Sequence, residues 1–384
     1  MVVVQEIWIS GILILFLSLV IPFLHYIRCL YYSRLEILPD KFSYITDITI
    51  VLPIKDEGIV IRNKLEELIS MDYPLDKIKI LIVDSGSKDN GVEIANKFLS
   101  TYQSKIEYEI VTINQPGKSV AINHALDLIR TDFFIMMDTE AILSKSTLKE
   151  IMNWFSIDEV GAVCGQFNPE LNDLDLNYRK KFNIIRTGES VIFSTPIFEG
   201  SICAFRLKSL KGDKINPDIN SDDTQLALLS IRNGFKSIMD KNISFSEPPT
   251  GRKNRRKRQL RRSQGLLRAL ALNWDLLFKS KIKMIFLHSL YFHIMMPWLI
   301  LFAFINILGA SLFSIINYGI IQIDEYVMSI LVILFFCSSK FFRNFIFGIS
   351  VLIEAQILLF FGVKLHIWET NRELRIKSNN FRNE

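Results

Sequence analysis

Apolar residues are segregated along this chain, and that segregation limits its fold more than any other feature. Ile7 to Ile27 holds no Asp, Glu, Lys or Arg, and apolar residues dominate again from about 284 to 363, while the stretch between carries most of the charge. About 20 uncharged residues at 1.5 Å each cross a hydrocarbon core of roughly 30 Å. Such a chain has to place its two ends in a bilayer and fold its middle in water. A cleaved signal peptide is the competing reading of the first run. Glu6, the lack of Lys or Arg before the run, its length and the absence of a small-x-small site oppose it. Basic residues follow the run instead (Arg28, Arg34, Lys41), so the positive-inside rule puts the N-terminus outside and the next domain in the cytoplasm. The expectation is a multi-pass protein of the cell membrane.

At the other end, Lys279, Lys281 and Lys283 precede an uncharged stretch, Met284 to Ile323, too long for one straight helix. A break at Asn306–Ser311 would make two spans of it. Tyr326–Ser339 and Phe345–Val363 would add two more, with Lys340 and Arg343 between them. Four C-terminal spans return the basic tail to the cytoplasm and three leave it outside, so three to four are expected, with four preferred. Glu354 and Gln356 fall inside the last span, where a functional carboxylate and a helix-packing group are both open readings. The chain thus divides into an anchor (1–30), a catalytic domain (47–270), an interfacial linker (271–283), a transmembrane region (284–363) and a basic tail (364–384).

The net charge of +5 over 384 residues points to no partner, but its distribution does. Residues 252–262 hold eight basic side chains and no acidic one. Beside a membrane such a run binds anionic headgroups. Spans on both sides and the lack of a recognition motif oppose nucleic acid. Cys29, Cys164, Cys203 and Cys337 include no CxxC pair, which indicates neither zinc nor a disulfide framework. No protein partner is indicated.

In the middle, strand-like runs (Ile48–Leu52, Ile78–Val83, Tyr108–Thr112, Phe133–Met137, Val160–Cys164) alternate with helical stretches (Val60–Ser70, Gly91–Thr101, Lys118–Ile129, Ser146–Phe155). That order predicts an α/β domain with a mostly parallel sheet and helices on both faces. Ligands of such sheets bind beyond the carboxyl ends of the strands. The residues there are Pro53-Ile54-Lys55-Asp56-Glu57, Asp84-Ser85-Gly86-Ser87-Lys88-Asp89, Gln115-Pro116-Gly117-Lys118 and Asp138-Thr139-Glu140. One acidic strand end is ordinary turn chemistry, but four charged or glycine-containing ends in a row point to a site. Neither GxGxxG nor GxxxxGK[ST] is present.

Val51-Leu52-Pro53 with Glu57, Met71-Asp72-Tyr73-Pro74, Val83 to Asp89, Gly117-Lys118-Ser119 with Asn123, Asp138-Thr139-Glu140, Gly200 to Arg206 and Ser221-Asp222-Asp223, taken in order, resemble the GT-A glycosyltransferases of family 2. The resemblance spans roughly residues 47–270. It implies a Rossmann-like GT-A domain that transfers a sugar from a nucleotide-sugar donor with inversion. Pro53, Glu57 and Gly200 would belong to the substrate site, and Asp84 would bind the base or ribose. Asp138 and Glu140 would stand for the DxD motif and hold Mg²⁺ or Mn²⁺, with Glu in place of the second Asp. Lys118 would meet diphosphate or sugar oxygens, unless it is a surface lysine. Asp223 would be the general base on the acceptor hydroxyl, with Asp222 beside it; helix capping is the alternative for this pair. Arg258, Arg261 and Arg262 fall where the family carries QxxRW, and no Trp is present whichever way the segment is aligned. An arginine there still clamps diphosphate. In processive synthases the Trp is a platform for the acceptor, so its lack favours a single addition to a lipid phosphate, glycolipid or lipid-linked saccharide. A processive synthase and a catalytically inactive membrane scaffold are the alternatives.

Overall fold

The computed structural model describes residues 2–35, 43–168, 176–247, 255–279, 281–318 and 338–365. The expected span at 326–339 falls almost wholly outside these residues. So do Arg252, Lys253 and the tail from residue 366. The described chain forms two compact units, one of Met1–Ile27, Arg256–Ala271 and Phe286–Leu365, the other built from Arg28–Arg255 and Leu272–Ile285.

The second unit is a sandwich of one sheet and its helices. Its strands are β1 (Ile48–Ile54), β2 (Ile78–Asp84), β3 (Glu107–Thr112), β4 (Phe133–Met137), β5 (Ile142–Leu143), β6 (Val160–Phe167), β7 (Ile202–Arg206) and β8 (Lys236–Ser246), in the order β3-β2-β1-β4-β7-β6-β8-β5. β3, β2, β1 and β4 run parallel. β7 is antiparallel to both β4 and β6, while β8 is parallel to β6. The five expected strands are all present, and the sheet is mostly parallel as expected. β5, β7 and β8 were not read from the sequence, and β7 is inserted between β4 and β6. Every residue of β1 is buried, as in a strand covered on both faces. Ile48, Ile50, Leu52 and Ile54 enter one core and Val51 the other, following the two-residue period. Pro53 lies within β1 rather than after it; β1 pairs with β4 only as far as Val51–Met136, so the missing N–H does not interrupt that ladder.

The helices between strands are α2 (Ile61–Ile69), α3 (Gly91–Ser100), α4 (Lys118–Leu128) and α5 (Thr147–Trp154), followed by α6 (Leu176–Ile192) and α7 (Asp222–Arg232). α6 packs on the end of α1 (Val2–Tyr32) with almost no gap: a Cβ on Gly188 would lie 2.4 Å from the carbonyl oxygen of Cys29. Only glycine admits that approach.

The first unit holds most of α1, α8 (Arg255–Leu272), α9 (Lys283–Leu290), α10 (Met296–Tyr318) and α11 (Lys340–Phe360). Val3–Tyr32, Lys283–Ser314 and Phe342–Phe360 are long and apolar enough to cross a membrane. The expected break at Asn306–Ser311 does not occur, since α10 runs through it. Asn306 faces Gly11 of α1, where the two helices approach closely. The irregular turn lies earlier, as a π-helical segment at Tyr291–Met295. Gln356 of α11 donates from Nε2 to the carbonyls of His293 (3.3 Å) and Ile294 (3.4 Å) and accepts from Trp298 Nε1 (3.0 Å). Glu354 pairs with Arg256 of α8. Within this unit, Glu354 and Gln356 of the last span thus both bond to neighbouring helical segments.

Candidate active site

The carboxyl edge of the parallel strands brings several of the expected residues together, Lys118, Asp138 and Asp222 among them. Gly117 takes φ +143°, a conformation side chains rarely adopt, and so turns the chain after β3 into α4. Lys118 then opens α4 and reaches across the edge. Its ammonium lies 2.8 Å from Asp138 Oδ1 and 3.3 Å from Asp222 Oδ2. Burial works to lower the pKa of this lysine, but Asp138 and Asp222 outweigh it and hold it above its ordinary value. Lys118 is thus no surface lysine, and the cluster holds a cation of its own. The contact with Asp222 is an ion pair without hydrogen-bond geometry.

Asp222 and Asp223 are the first residues of α7. Ser221, which precedes both, makes no side-chain cap bond. Asp223 is pressed against Gly200, where an added Cβ would lie 3.1 Å from its Oδ2. Burial, then the charge of Asp222, push the Asp223 carboxyl up to about 7. The Thr224 backbone N–H and Lys118 pull it partly back, and Glu199 adds to the rise.

The turn after β4 is held from three sides. Asp138 N–H donates to the carbonyl of Ser201 (3.1 Å), tying β4 to the start of β7. Thr139 Oγ1 donates to Glu57 (3.0 Å), and Glu57 is buried. Lys64, fully buried on α2, donates from Nζ to the carbonyl of Ala141 (2.8 Å) and to Glu67 (2.7 Å). Asp138 remains 39% exposed along its side chain and Glu140 is half-buried, so this pair offers hard oxygen ligands to solvent. That donor set, on an edge already accommodating an ammonium, fits a divalent cation.

Asp84, the last residue of β2, is buried; its Oδ1 accepts from the Ser87 backbone N–H (3.0 Å) and hydroxyl. Ser87 Oγ in turn accepts from Asp56 N–H, and Lys88 N–H donates to Asp56 Oδ1, so the loops after β1 and β2 form one piece. Asp84 and Asp138 stand at the same edge with β1 between their strands. The loop ahead of Asp222 is fixed to α4 and α7: Ser119 Oγ donates to the carbonyl of Ile219 (2.6 Å), Asn123 bonds both polar groups of Ile215, and Gln225 bonds the carbonyl of Ile219 (3.1 Å). Arg258, Arg261 and Arg262 lie on α8, in the other compact unit from Asp223.

Sequence reasoning missed Lys64, Arg186 with Glu199, and Gln225. Lys64 had a readable signal, being a charged residue on the buried stripe Ile61, Lys64, Leu65, Leu68. Arg186 of α6 and Glu199 form an ion pair that depends on a distant contact, and no spacing announces it.

Comparison with known proteins bears on the family and the fold. Residues 49–212 match the family model described as Glycosyl transferase family 2. A probable glycosyltransferase of Bacillus subtilis, YdaM, is 25% identical over 134 residues, 33% of this chain and 31% of that protein. The poly-beta-1,6-N-acetyl-D-glucosamine synthase of Staphylococcus epidermidis is 22% identical over 224 residues, 56% of this chain and 51% of the synthase. The chain therefore spans no more than about half of either relative. The mannosyltransferase PcManGT of Pyrobaculum calidifontis, solved with GDP-Man and Mn²⁺, has the same fold: TM-score 0.79, 22% identity, covering 94% of this chain and 99% of that one.

Proposed function

We propose that this chain, whose residues 49–212 match the family model Glycosyl transferase family 2, is a glycosyltransferase of that family and transfers a sugar from a nucleotide-sugar donor to an acceptor held in the membrane, with inversion and one sugar at a time. The observation carrying this reading is the bridge from Lys118 to Asp138 and Asp222, with Asp223 beside it against Gly200 at the sheet's carboxyl edge. Asp138 and Glu140 are the residues that hold Mg²⁺ or Mn²⁺, which when bound neutralises charge on the departing nucleoside diphosphate. Asp84, with the loop it shapes, takes the base or ribose, and Lys118 moves from carboxylate to diphosphate oxygens. Pro53 and Glu57 support the donor site from β1 and the loop after it. Asp223 accepts the proton of an acceptor hydroxyl as that oxygen attacks the anomeric carbon from the face opposite the leaving group. Arg258, Arg261 and Arg262 belong to the diphosphate or headgroup side of the reaction.

The relatives support both halves of this reading. The neighbour of Pyrobaculum calidifontis was solved with a nucleotide sugar and Mn²⁺. A Methanococcus voltae relative, 25% identical over 225 residues, is a glycosyltransferase acting on a dolichyl phosphate sugar. Three apolar helices among the described residues support membrane residence, and the basic residues that follow the first apolar run support a cytoplasmic catalytic unit. A processive synthase is the second reading, favoured by the Staphylococcus epidermidis relative. The purified protein with Mn²⁺, offered a panel of UDP- and GDP-sugars, should release nucleotide from at least one and yield a product one sugar longer. No release from any donor removes the transferase reading; a ladder of long products selects the synthase.

A further inference from the structure

The chain between α6 and β7 touches both halves of the candidate site. Gly200 packs against Asp223, and the Ser201 carbonyl accepts from the N–H of Asp138 (3.1 Å). α6 holds this crossing at two points. Arg186 pairs with Glu199, and Arg179 lies 3.5 Å from Glu247, whose carboxylate accepts from the Ser201 hydroxyl. Arg179 and Arg186 stand two turns apart on α6 and so share one face of it. Asn183 on that face donates to the carbonyl of Phe167 (3.1 Å), and Ser190 Oγ accepts from the Met239 N–H (2.8 Å).

Stability alone does not account for this face. The side chains of Arg186 and Glu199 are only 12% and 17% exposed, and an ion pair taken that far out of water recovers little or none of its desolvation cost. Apolar residues of similar volume would hold the helix at least as well. What the pair does have is a place beside the proposed base. Glu199 pushes the Asp223 carboxyl up, as Asp222 on α7 does, and Lys118 on α4 pulls it down. The other titratable groups near it among the described residues are the thiols of Cys164 on β6 and Cys203 on β7, both kept neutral by burial. Cys203 Sγ also donates to the Glu199 carbonyl (3.1 Å), which fixes this residue from the sheet side. We propose that Arg186 and Glu199 are a positioning pair for Asp223: through Arg186, α6 fixes Glu199, keeping Gly200 seated against the base and a compensated negative charge beside it. Neither side chain has to touch a substrate. The positioning role rests on the function proposed above; the influence of Glu199 on the Asp223 carboxyl does not.

In the full chain, held in phosphatidylcholine vesicles, a water-soluble carbodiimide reads Asp223 without any substrate, because this half-buried carboxyl reacts only when protonated. Peptide mass spectrometry over a pH series should show labelling of Asp223 lost at lower pH in Glu199→Gln than in the wild type. Arg186→Lys, which keeps the charge, should keep the wild-type midpoint. A midpoint that stays or rises in Glu199→Gln, or one that moves as far in Arg186→Lys, overturns the influence of the pair. For positioning, the double variant Arg186→Met with Glu199→Leu removes both charges and orphans neither. Its thermal midpoint should match or exceed that of the wild type. With Mn²⁺ and whichever of UDP-glucose, UDP-N-acetylglucosamine or GDP-mannose the wild type hydrolyses, kcat for nucleotide release should fall severalfold at unchanged KM. A double variant that unfolds, keeps the wild-type kcat, or raises KM as much as it lowers kcat overturns the positioning role. A wild type that releases nucleotide from none of these donors removes that role and the transferase reading together, and the labelling still decides whether Glu199 acts on Asp223.

Discussion

Asp223 opens a helix, where the dipole and Lys118 both favour a negative charge, yet burial and Asp222 keep its carboxyl near pH 7. A base must be deprotonated to act, so with a hydroxyl acceptor turnover should climb as pH rises towards about 7 and then level off. A cation at Asp138 draws the midpoint lower. With a phosphate acceptor, whose oxygen is already anionic, the rising limb should vanish; the pH profile thus reads the acceptor class. Asp223→Asn should lose about a hundredfold or more in turnover with membrane insertion intact, checked by rate and membrane fractionation. Lys64 lies beneath the same turn, fully buried and bonded to Glu67 and the Ala141 carbonyl. Lys64→Met leaves a charge-bearing partner without its counterpart, a loss of about 3–5 kcal/mol. The thermal midpoint should drop on the order of 10 °C, and Mn²⁺ binding should weaken as the turn carrying Asp138 and Glu140 loosens.

Among elements, those built on local periodicity were legible in the sequence. β1 to β4 and α2 to α5 lie within two residues of the expected ranges, because each carries its own apolar stripe or run. β7 was not legible as a strand: Ile202–Arg206 is too short to show a period, and its antiparallel place is fixed by pairing with β4 and β6. That pairing sets Ser201 against Asp138, so an unread strand helps to position a residue that was read. The same limit hid the contact of α6 with α1. A side chain at position 188 has to displace the backbone of Cys29, with a Cβ 2.5 Å from its Cα. Gly188→Leu should therefore lower the thermal midpoint and the membrane yield, while Gly212→Ala serves as a control: nothing lies within 4 Å of a Cβ there, and only its φ of +80° opposes the change.

At the scale of the whole molecule, composition located the membrane ends and the water-soluble middle, since apolar segregation is a property of long stretches. It misplaced the irregularity in the Met284–Ile323 stretch, because polar and small residues at 306–311 look the same whether they break a helix or let a neighbour approach. The π-helical turn at Tyr291–Met295 left no compositional trace at all. Its consequence concerns how span sequences are scored. Replacing Gln356 by Leu makes α11 greasier, and any hydropathy ranking would count that as a better span. Yet the amide is what satisfies two backbone oxygens of the widened turn, so the greasier helix should grip its neighbour less firmly, by about 0.6–2 kcal/mol, and surrender sooner to detergent-driven separation of the two helices.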